Sequence, residues 1–294
     1  MNTLPQQNMD ISLNLDDTHI VITGGAGLIG RVVVEALLAA NARVSSLDIS
    51  YAHHSVKPYS RSQHIPCDIS SEPSVREAFA NAVRNFGPVE CCIALGGLDY
   101  SVLEHSDSIA DASFEQLKRV LDVNVGGTWL TAREWVRGLK VAREELGMGL
   151  KNVGCVIVGS ESGWFGERGN ADYAVGKSAV QVGLLASLRA DVARVWPGAR
   201  VNAIAPGPVD TERFKQECKE NPEQYWMDCQ ATVELKPILN PFITALGKPV
   251  PPEAVAKTIL FLASENFSGN VTGQVINVDS GKQGKVMWTK EECA

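Results

Sequence analysis

Three residues that could transfer a proton lie close together in the sequence. Tyr173 and Lys177 are four positions apart at the start of a predicted helix, so both side chains lie on one face of it. Ser160 ends an apolar run thirteen positions before Tyr173 and can hold the oxygen of an alcohol or a carbonyl. A phenol is a poor base at neutral pH, but a neighbouring ammonium favours the phenolate and lowers the phenol's pKa. The spacing predicts a proton-transfer site, although a lone Tyr-x-x-x-Lys also occurs by chance in many helices.

A glycine-rich segment follows the first predicted strand. The apolar run His19–Thr23 leads directly into the sequence Gly24-Gly25-Ala26-Gly27-Leu28-Ile29-Gly30, and a predicted helix follows over residues 31–38. Glycines let the backbone approach a ligand closely, and a helix N-terminus offers free N–H groups to a pyrophosphate. A strand, a glycine turn and a helix in this order predict a nucleotide-binding turn.

An acidic residue ends the second predicted strand. Asp48 comes eighteen positions after Gly30, where a carboxylate can accept hydrogen bonds from the adenosine ribose hydroxyls. The same charge repels a 2′-phosphate, and no basic residue lies within the glycine turn to compensate. Asp48 therefore favours NAD(H) over NADP(H). The alternative is an ordinary loop aspartate at the end of a strand.

Strands alternate with helices along the chain. The predicted strands cover residues 19–23, 42–48, 63–69, 89–94, 153–159, 200–205 and 274–278, and the predicted helices cover residues 31–38, 71–86, 113–146, 172–195 and 253–263. Apolar strands that alternate with helices are typical of a parallel sheet covered on both faces. The sequence therefore predicts an α/β fold, a Rossmann-type doubly wound parallel sheet with helices on both faces, in a single domain. The carboxyl ends of such strands meet at one edge, which brings the candidate residues together.

Composition excludes several classes of function. The chain has 294 residues, a formal net charge of −7 and a pI near 5.3, which argue against nucleic acid or an anionic membrane as a partner. No apolar run has the length of a membrane span, and no secretory signal is visible, so a cytoplasmic location is the expectation. Seven cysteines without ligand-like spacing, and the adjacent pair His53 and His54, give no metal site and no disulfide framework.

From about His19 to Gly281 the chain resembles the short-chain dehydrogenase/reductase superfamily, in its compact single-domain branch. Ser160, Tyr173 and Lys177 have the spacing of that family, and Asn124 lies in the helix before the serine strand, where the family has its fourth catalytic residue. The loop Pro206-Gly207 followed by Thr211 is similar to the loop on the nicotinamide side. The segment from Thr272 to Gly281 is similar to the closing strand of the family.

Two segments depart from the pattern of the compact branch. The glycine spacing Thr23-Gly24-x-x-Gly27-x-x-Gly30 is similar to that of the extended branch, which includes many nucleotide-sugar epimerases and dehydratases. The usual Asn-Asn-Ala-Gly after the fourth strand is here Ala94-Leu95-Gly96-Gly97, so the side-chain bonds that usually steady this loop are expected to be missing.

The resemblance implies roles for the matching residues. Tyr173 exchanges the proton, Ser160 holds the substrate oxygen, Lys177 lowers the pKa of Tyr173 and bonds the nicotinamide ribose, and Asn124 holds a water in a proton relay. Ser162 is a rival for Ser160, but its spacing to Tyr173 is off the pattern. The expected cofactor-binding residues are Gly24, Gly27, Leu28, Ile29, Gly30, Asp48, Asp68, Ile69, Ala94, Gly96, Tyr173, Lys177, Pro206, Gly207, Val209 and Thr211.

The domain organisation follows from the same alignment of motifs. We expect a flexible tail over residues 1–18, the Rossmann domain over residues 19–281 and a C-terminal tail over residues 282–294. The segment of about residues 212–252 is expected to be a substrate lid, and it carries Phe214, Tyr225, Trp226 and Phe242. The resemblance implies a homodimer or homotetramer that pairs through the two long helices.

The predicted function is an NAD(H)-dependent oxidoreductase that interconverts a secondary alcohol and a ketone. Trp164 and Phe165 beside Ser160, with the lid aromatics, suit a bulky or ring-containing small-molecule substrate. About half of these aromatics could instead be core or subunit contacts. The alternative enzyme is a cofactor-retaining epimerase or dehydratase on the same fold, and a nucleotide sensor without catalysis is a third possibility.

Overall fold

The computed structural model describes residues 9–52, 60–147, 149–220 and 244–282. The strands in this part of the chain are β1 (His19–Thr23), β2 (Arg43–Asp48), β3 (Ser62–Pro66), β4 (Cys91–Ala94), β5 (Gly154–Val158), β6 (Arg200–Pro206) and β7 (Val275–Val278). They form one parallel sheet in the order β3-β2-β1-β4-β5-β6-β7. The strand order reverses between β1 and β4, which opens the crevice where doubly wound sheets bind ligands. The predicted fold class is confirmed.

In the described ranges, α-helices connect all the strands except β2 and β3, between which a 3₁₀ turn covers Ile49–Ala52. They are α1 (Leu28–Ala39), α2 (Glu72–Phe86), α3 (Phe114–Val120), α4 (Gly127–Leu146), α5 (Ser162–Phe165), α6 (Ala171–Ser178), α7 (Leu185–Val195), α8 (Glu212–Glu220), α9 (Pro252–Ala263) and α10 (Glu265–Ser268). Turns of π-helix join α3 to α4 over Leu121–Gly126 and α6 to α7 over Ala179–Leu184. Each of the two long helices expected from the sequence therefore contains one turn of π-helix between its two α-helical parts. Such turns are frequent at functional sites.

The two faces of the sheet carry separate apolar layers. Val21 of β1 packs in the layer that includes Trp135 of α4, whereas its neighbour Ile22 packs in the layer with Leu37 of α1 and Ile259 of α9. Successive side chains of a strand point to opposite faces, so an apolar strand feeds both layers. This is why the strands read as continuous apolar runs instead of alternating ones.

The segment before β1 packs against the domain, which differs from the loose tail expected up to residue 18. Leu15 is buried, and the carbonyl of Leu13 accepts a hydrogen bond of 2.6 Å from the Ser264 hydroxyl. Asn266 Nδ2 donates to the Ser12 carbonyl at 2.8 Å. The segment is polar and has no periodic pattern, so the sequence carries no signal for contacts with residues that lie far along the chain.

Several expected features fall outside the described residues. They are residues 1–8 of the N-terminal tail, residues 283–294 of the C-terminal tail, the lid residues Tyr225, Trp226 and Phe242, and the pair His53 and His54. At the edges of the lid, residues 212–220 form α8 and Val250 pairs with Val209. None of the helices in the described ranges has both the length and the apolar character that a membrane span requires.

Candidate active site

The glycine turn between β1 and α1 has no room for a side chain at Gly24 or at Gly30. Gly24 has a positive φ of 71°, and a Cβ on it would lie 2.7 Å from Gly96 Cα in the loop after β4. A Cβ on Gly30 would lie 2.1 Å from the Gly24 carbonyl oxygen, so the helix can begin directly under the turn only with glycine there. Gly27 is the N-cap of α1, and Leu28 and Ile29 form its first turn, where no side chain caps the N–H groups. These N–H groups can hold an anionic pyrophosphate.

A carboxylate and a guanidinium both lie beside this turn. Asp48 Oδ2 accepts a hydrogen bond of 3.0 Å from the backbone N–H of Ala26, and its Oδ1 accepts one of 2.9 Å from Ser50 N–H. Arg31 Nε donates to the Ala26 carbonyl at 2.7 Å. Asp48 therefore lies beside the glycine turn, and its contact with the adenosine ribose stays a prediction. The sequence analysis did not single out Arg31, because this residue follows the last glycine of the motif.

The loop after β3 is the expected adenine side of the site. Asp68 Oδ1 accepts hydrogen bonds from the backbone and the hydroxyl of Ser70, at 2.9 and 2.7 Å, so the carboxylate fixes its own turn. Ile69 packs toward the next loop, since a Cβ on Gly96 would lie 3.2 Å from Ile69 Cδ1. Asp68 and Ile69 thus connect the third strand to the loop that follows Ala94.

Side chains do steady the unusual loop that follows Ala94, in contrast to the expectation from the sequence. The Thr23 hydroxyl accepts a hydrogen bond of 3.2 Å from Gly96 N–H. Asn124 Oδ1 accepts from Leu98 N–H at 2.7 Å, and Asn124 Nδ2 donates to the Leu98 carbonyl at 3.0 Å. The buried Asn124 amide therefore satisfies both backbone groups of Leu98.

Asn124 itself lies in the π-helical turn Leu121–Gly126 and is buried. Its backbone carbonyl accepts a hydrogen bond of 2.7 Å from the Thr128 hydroxyl. The proton relay expected from Asn124 stays a prediction.

The hydroxyl of Ser160 is oriented by its neighbours. Ser160 N–H donates to Gln181 Oε1 at 2.9 Å, which anchors the serine to the second π-helical turn. Ser160 Oγ accepts a hydrogen bond of 3.2 Å from Ser162 N–H. One lone pair of the hydroxyl is therefore occupied, and its proton is available for the oxygen of a substrate. Gln181 has no motif of its own, so the sequence reasoning did not identify it.

Tyr173 and Lys177 lie on the buried face of α6. Lys177 Nζ donates a hydrogen bond of 2.9 Å to the carbonyl of Val158, at the end of the strand that delivers Ser160. The same Nζ lies 5.6 Å from the centroid of the Tyr173 ring. Burial lowers the pKa of Lys177 from 10.5 to about 8, against a weaker opposing effect of Asp99. The structure therefore brings the ammonium, the phenol ring and the serine strand together.

The loop after β6 is held from several directions. The Pro206 carbonyl accepts from Glu161 N–H at 3.0 Å, and Gly207 N–H donates to the Val278 carbonyl at 3.0 Å. Val209 forms a bridge to Val250, and Thr211 Oγ1 accepts from Phe214 N–H at 3.1 Å at the start of α8. The four residues expected on the nicotinamide side, Pro206, Gly207, Val209 and Thr211, therefore form one ordered segment next to the serine turn.

Comparison with known proteins decides the family. A family model described as enoyl-(acyl carrier protein) reductase matches residues 25–283. A 2,5-dichloro-2,5-cyclohexadiene-1,4-diol dehydrogenase of Sphingobium indicum is 30% identical over 271 residues, which cover 91% of this chain and 98% of the relative. The chain belongs to the short-chain dehydrogenase/reductase family.

Two further proteins match nearly the full length of this chain. A cis-1,2-dihydrobenzene-1,2-diol dehydrogenase of Pseudomonas putida is 29% identical, with 92% of this chain and 93% of the relative covered. The crystal structure of gox2181 superposes with a TM-score of 0.74 at 24% identity, and it covers 92% of this chain and 97% of that protein. At this identity the structural match shows the fold alone.

Two polar groupings of this dehydrogenase/reductase chain were not found from the sequence. Lys282 Nζ forms a buried ion pair of 2.8 Å with Glu161 Oε1, with 1% and 6% of the side chains exposed. The buried side chains of Ser162 and Glu167 form a second network next to Ser160, together with the partly buried Tyr100. Both groupings join residues that are far apart in sequence or belong to no motif, so no sequence signal points to them.

Proposed function

We propose that this chain is an NAD(H)-dependent oxidoreductase that interconverts a secondary alcohol and a ketone. The observation that carries the proposal is the position of Lys177, whose ammonium is bonded to the Val158 carbonyl beside the Tyr173 ring. Val158 lies two residues before Ser160. A cation near a phenol favours the phenolate, which is the form that can remove a hydroxyl proton.

The residues of this site have complementary tasks in alcohol oxidation. Tyr173 as phenolate takes the hydroxyl proton of the substrate, and Ser160 donates a hydrogen bond to the same oxygen and stabilises its developing charge. A bound nicotinamide would supply the hydride acceptor for the carbinol carbon. Tyr173 gives the proton back when a ketone is reduced. Lys177 keeps a positive charge 5.6 Å from the centre of the Tyr173 ring and bonds the cofactor ribose, and Asn124 holds the relay water.

The adenosine side of the site supports NAD(H) as the cofactor. The glycine turn has no room for a Cβ at Gly24 or Gly30, which fits a pyrophosphate against backbone N–H groups. Asp48, fixed beside that turn by Ala26 N–H, can accept hydrogen bonds from two ribose hydroxyls and repels a 2′-phosphate. Arg31 is the group nearby that would favour NADP(H) instead.

A bulky or cyclic alcohol is the proposed substrate class. Trp164 and Phe165, in α5 beside Ser160, are 45% and 37% exposed, so their rings are available to a ligand. The two curated relatives named above are dehydrogenases of cyclic diols, which agrees with this class. We further propose a cytoplasmic homodimer or homotetramer that pairs through the long helices, where Trp129 and Val141 are exposed.

The glycine spacing Gly24-x-x-Gly27-x-x-Gly30 favours a second candidate, an epimerase or dehydratase that retains its cofactor. Such an enzyme causes no net change in nicotinamide redox state. Absorbance at the band of the reduced nicotinamide separates the two candidates, because only a dehydrogenase changes it in proportion to turnover.

The proposal is tested by a panel of cyclic alcohols and ketones with NAD(H) and NADP(H), for wild type and Tyr173→Phe. We expect Tyr173→Phe to lower kcat by about a hundredfold or more, because the proton carrier is lost. The Kd for NADH, measured by fluorescence titration, should change little, because the ring stays. Turnover by Tyr173→Phe at the wild-type rate would reject the mechanism.

A further inference from the structure

A buried ion pair lies beside the turn that carries Ser160. Lys282 Nζ lies 2.8 Å from Glu161 Oε1, and 1% and 6% of the two side chains are exposed. Burying two charges costs free energy that their attraction does not reliably repay, and apolar side chains of similar volume often stabilise a fold equally well. Stability is therefore a weak reason for this pair, and its position beside the reaction site gives a stronger one.

Glu161 connects the serine turn to the loop after β6. Strands β5 and β6 are parallel neighbours, so their carboxyl ends bring this turn and this loop together at one edge of the sheet. Glu161 N–H donates to the Pro206 carbonyl at 3.0 Å. A Cβ on Gly207 would lie 3.3 Å from Glu161 Oε2, so the carboxylate packs against this glycine.

Lys282 belongs to a turn that also packs against Gly207. A Cβ on Gly207 would lie 2.8 Å from Asp279 Cα. Ser280 and Gly281 follow with positive φ values of 55° and 76°, and Lys282 N–H donates to the Asp279 carbonyl at 3.2 Å. A positive φ is uncommon for a residue other than glycine. This tight turn places the Lys282 side chain in the interior, next to Glu161.

The turn over residues 279–282 is itself held by the chain that precedes α9. Ala245 N–H donates to the Gly281 carbonyl at 3.2 Å, and Leu246 N–H donates to the Ser280 carbonyl at 3.1 Å. The ion pair is thus a side-chain link between a braced turn and the residue that follows Ser160, with the backbone of Gly207 in contact with both.

We propose that Glu161 and Lys282 are positioning residues for hydride transfer. Their ion pair holds Gly207 between the serine turn and the turn over residues 279–282, and it thereby fixes the loop after β6 relative to Ser160. This inference rests on the proposed function, which places the substrate oxygen at Ser160 and the nicotinamide at this loop. The pair acts only through the backbone that it holds, and rates fall steeply when reacting groups are displaced.

The first test needs neither cofactor nor substrate. Hydrogen exchange is followed by mass spectrometry for wild type, Glu161→Gln, Lys282→Met and the double variant. The reporters are the amides of Glu161 and Gly207, which bond to the Pro206 and Val278 carbonyls. We expect these amides to exchange about tenfold faster or more in all three variants, because the link between the two turns is lost. Wild-type exchange rates at both amides would overturn the inference.

The matched control removes a buried cation far from the site. Arg200 is 3% exposed, begins β6 at the end opposite Pro206, and donates to the Leu262 carbonyl at 2.7 Å. Arg200→Met should lower the thermal midpoint, as Lys282→Met does, but leave exchange at Gly207 and kcat unchanged. If Arg200→Met lowers kcat as much as Lys282→Met at equal loss of stability, the positioning role is rejected.

The second test separates chemistry from cofactor binding. The cyclic alcohol that wild type oxidises fastest is assayed, with the same alcohol deuterated at the carbinol carbon. We expect kcat to fall by about tenfold or more in each variant and the deuterium isotope effect on kcat to rise, because hydride transfer becomes slower. The Kd for NADH, measured by calorimetry, should change little, because the glycine turn and Asp48 are intact. Wild-type kcat in the folded variants would overturn the inference and leave the proposed function standing.

A purely stabilising role gives a different result in the double variant. Glu161→Gln with Lys282→Met leaves neither charge of the pair behind, so it loses less stability than the two single changes together. A stabilising pair predicts that kcat recovers with the thermal midpoint, whereas a positioning pair predicts that kcat stays low. If Lys282→Met does not fold, Glu161→Gln keeps the shape of the side chain and supplies the same comparison. If wild type turns over no alcohol or ketone, the proposed function fails, and hydrogen exchange alone decides whether the pair holds the loop.

Discussion

The buried histidine at the start of β1 predicts how stability depends on pH. His19 Nδ1 lies 2.8 Å from the Gly87 carbonyl oxygen, which can only accept, so this nitrogen carries the proton. Its Nε2 lies 2.7 Å from Ser45 Oγ, and that hydroxyl in turn accepts a hydrogen bond of 2.7 Å from Gln63 Nε2. Ser45 must therefore donate to His19, and a second proton on the ring would meet a donor.

The size of the stability change follows from the pKa of His19. Burial, the largest cause, lowers the pKa of His19 from 6.5 to about 4. Between these values the unfolded chain binds the proton and the folded chain does not, so the free energy of unfolding falls as the pH falls from 6.5 to 4. One pKa unit corresponds to about 1.4 kcal/mol, so the whole effect is about 3 kcal/mol, and about 2 kcal/mol of it is lost by pH 5.

The assay is urea unfolding at pH 7 and pH 5, followed by tryptophan fluorescence, for wild type and for His19→Gln. Glutamine keeps a donor and an acceptor but does not titrate, while the carboxylates titrate equally in both proteins. We expect wild type to lose about 2 kcal/mol more than His19→Gln between the two pH values. The same loss in both proteins, or an NMR titration that protonates His19 above pH 6, would refute the reasoning.

Three further substitutions test other parts of the site. Asp48→Ala should raise the ratio of kcat/KM for NADP to that for NAD by about a hundredfold, because a like charge beside the 2′-phosphate is removed. An unchanged ratio would reject Asp48 as the residue that selects NAD(H). Lys282→Met and Glu161→Gln should each lower the free energy of unfolding in urea by about 3 kcal/mol, since each leaves a buried group without its ion-pair partner. The double variant should lose less stability than the sum of the two single losses. Additive losses would contradict an interaction between the two side chains. Asn124→Ala should lower the free energy of unfolding by about 2 kcal/mol and weaken NADH binding, because both backbone groups of Leu98 lose their partner. A variant with wild-type stability and wild-type NADH affinity would contradict this prediction.

The sequence alone determined the fold class and the outline of the site. Apolar strands that alternate with helices are compatible with few arrangements other than a parallel sheet covered on both faces. The bounds of the seven strands agree with the predicted bounds to within a few residues. The glycine turn, Asp48 and the set of Ser160, Tyr173 and Lys177 could be predicted because each depends on local spacing. Parallel strands then bring these local motifs to one edge without any further information.

The tertiary structure decided what surrounds those motifs. The bonds from Asn124 to Leu98, from Lys177 to the Val158 carbonyl and between Glu161 and Lys282 join elements that are far apart in the chain. Such contacts follow from how helices and loops pack on the sheet, and no residue spacing encodes them. The network of Tyr100, Ser162 and Glu167 is the clearest case, because it joins side chains that no motif relates.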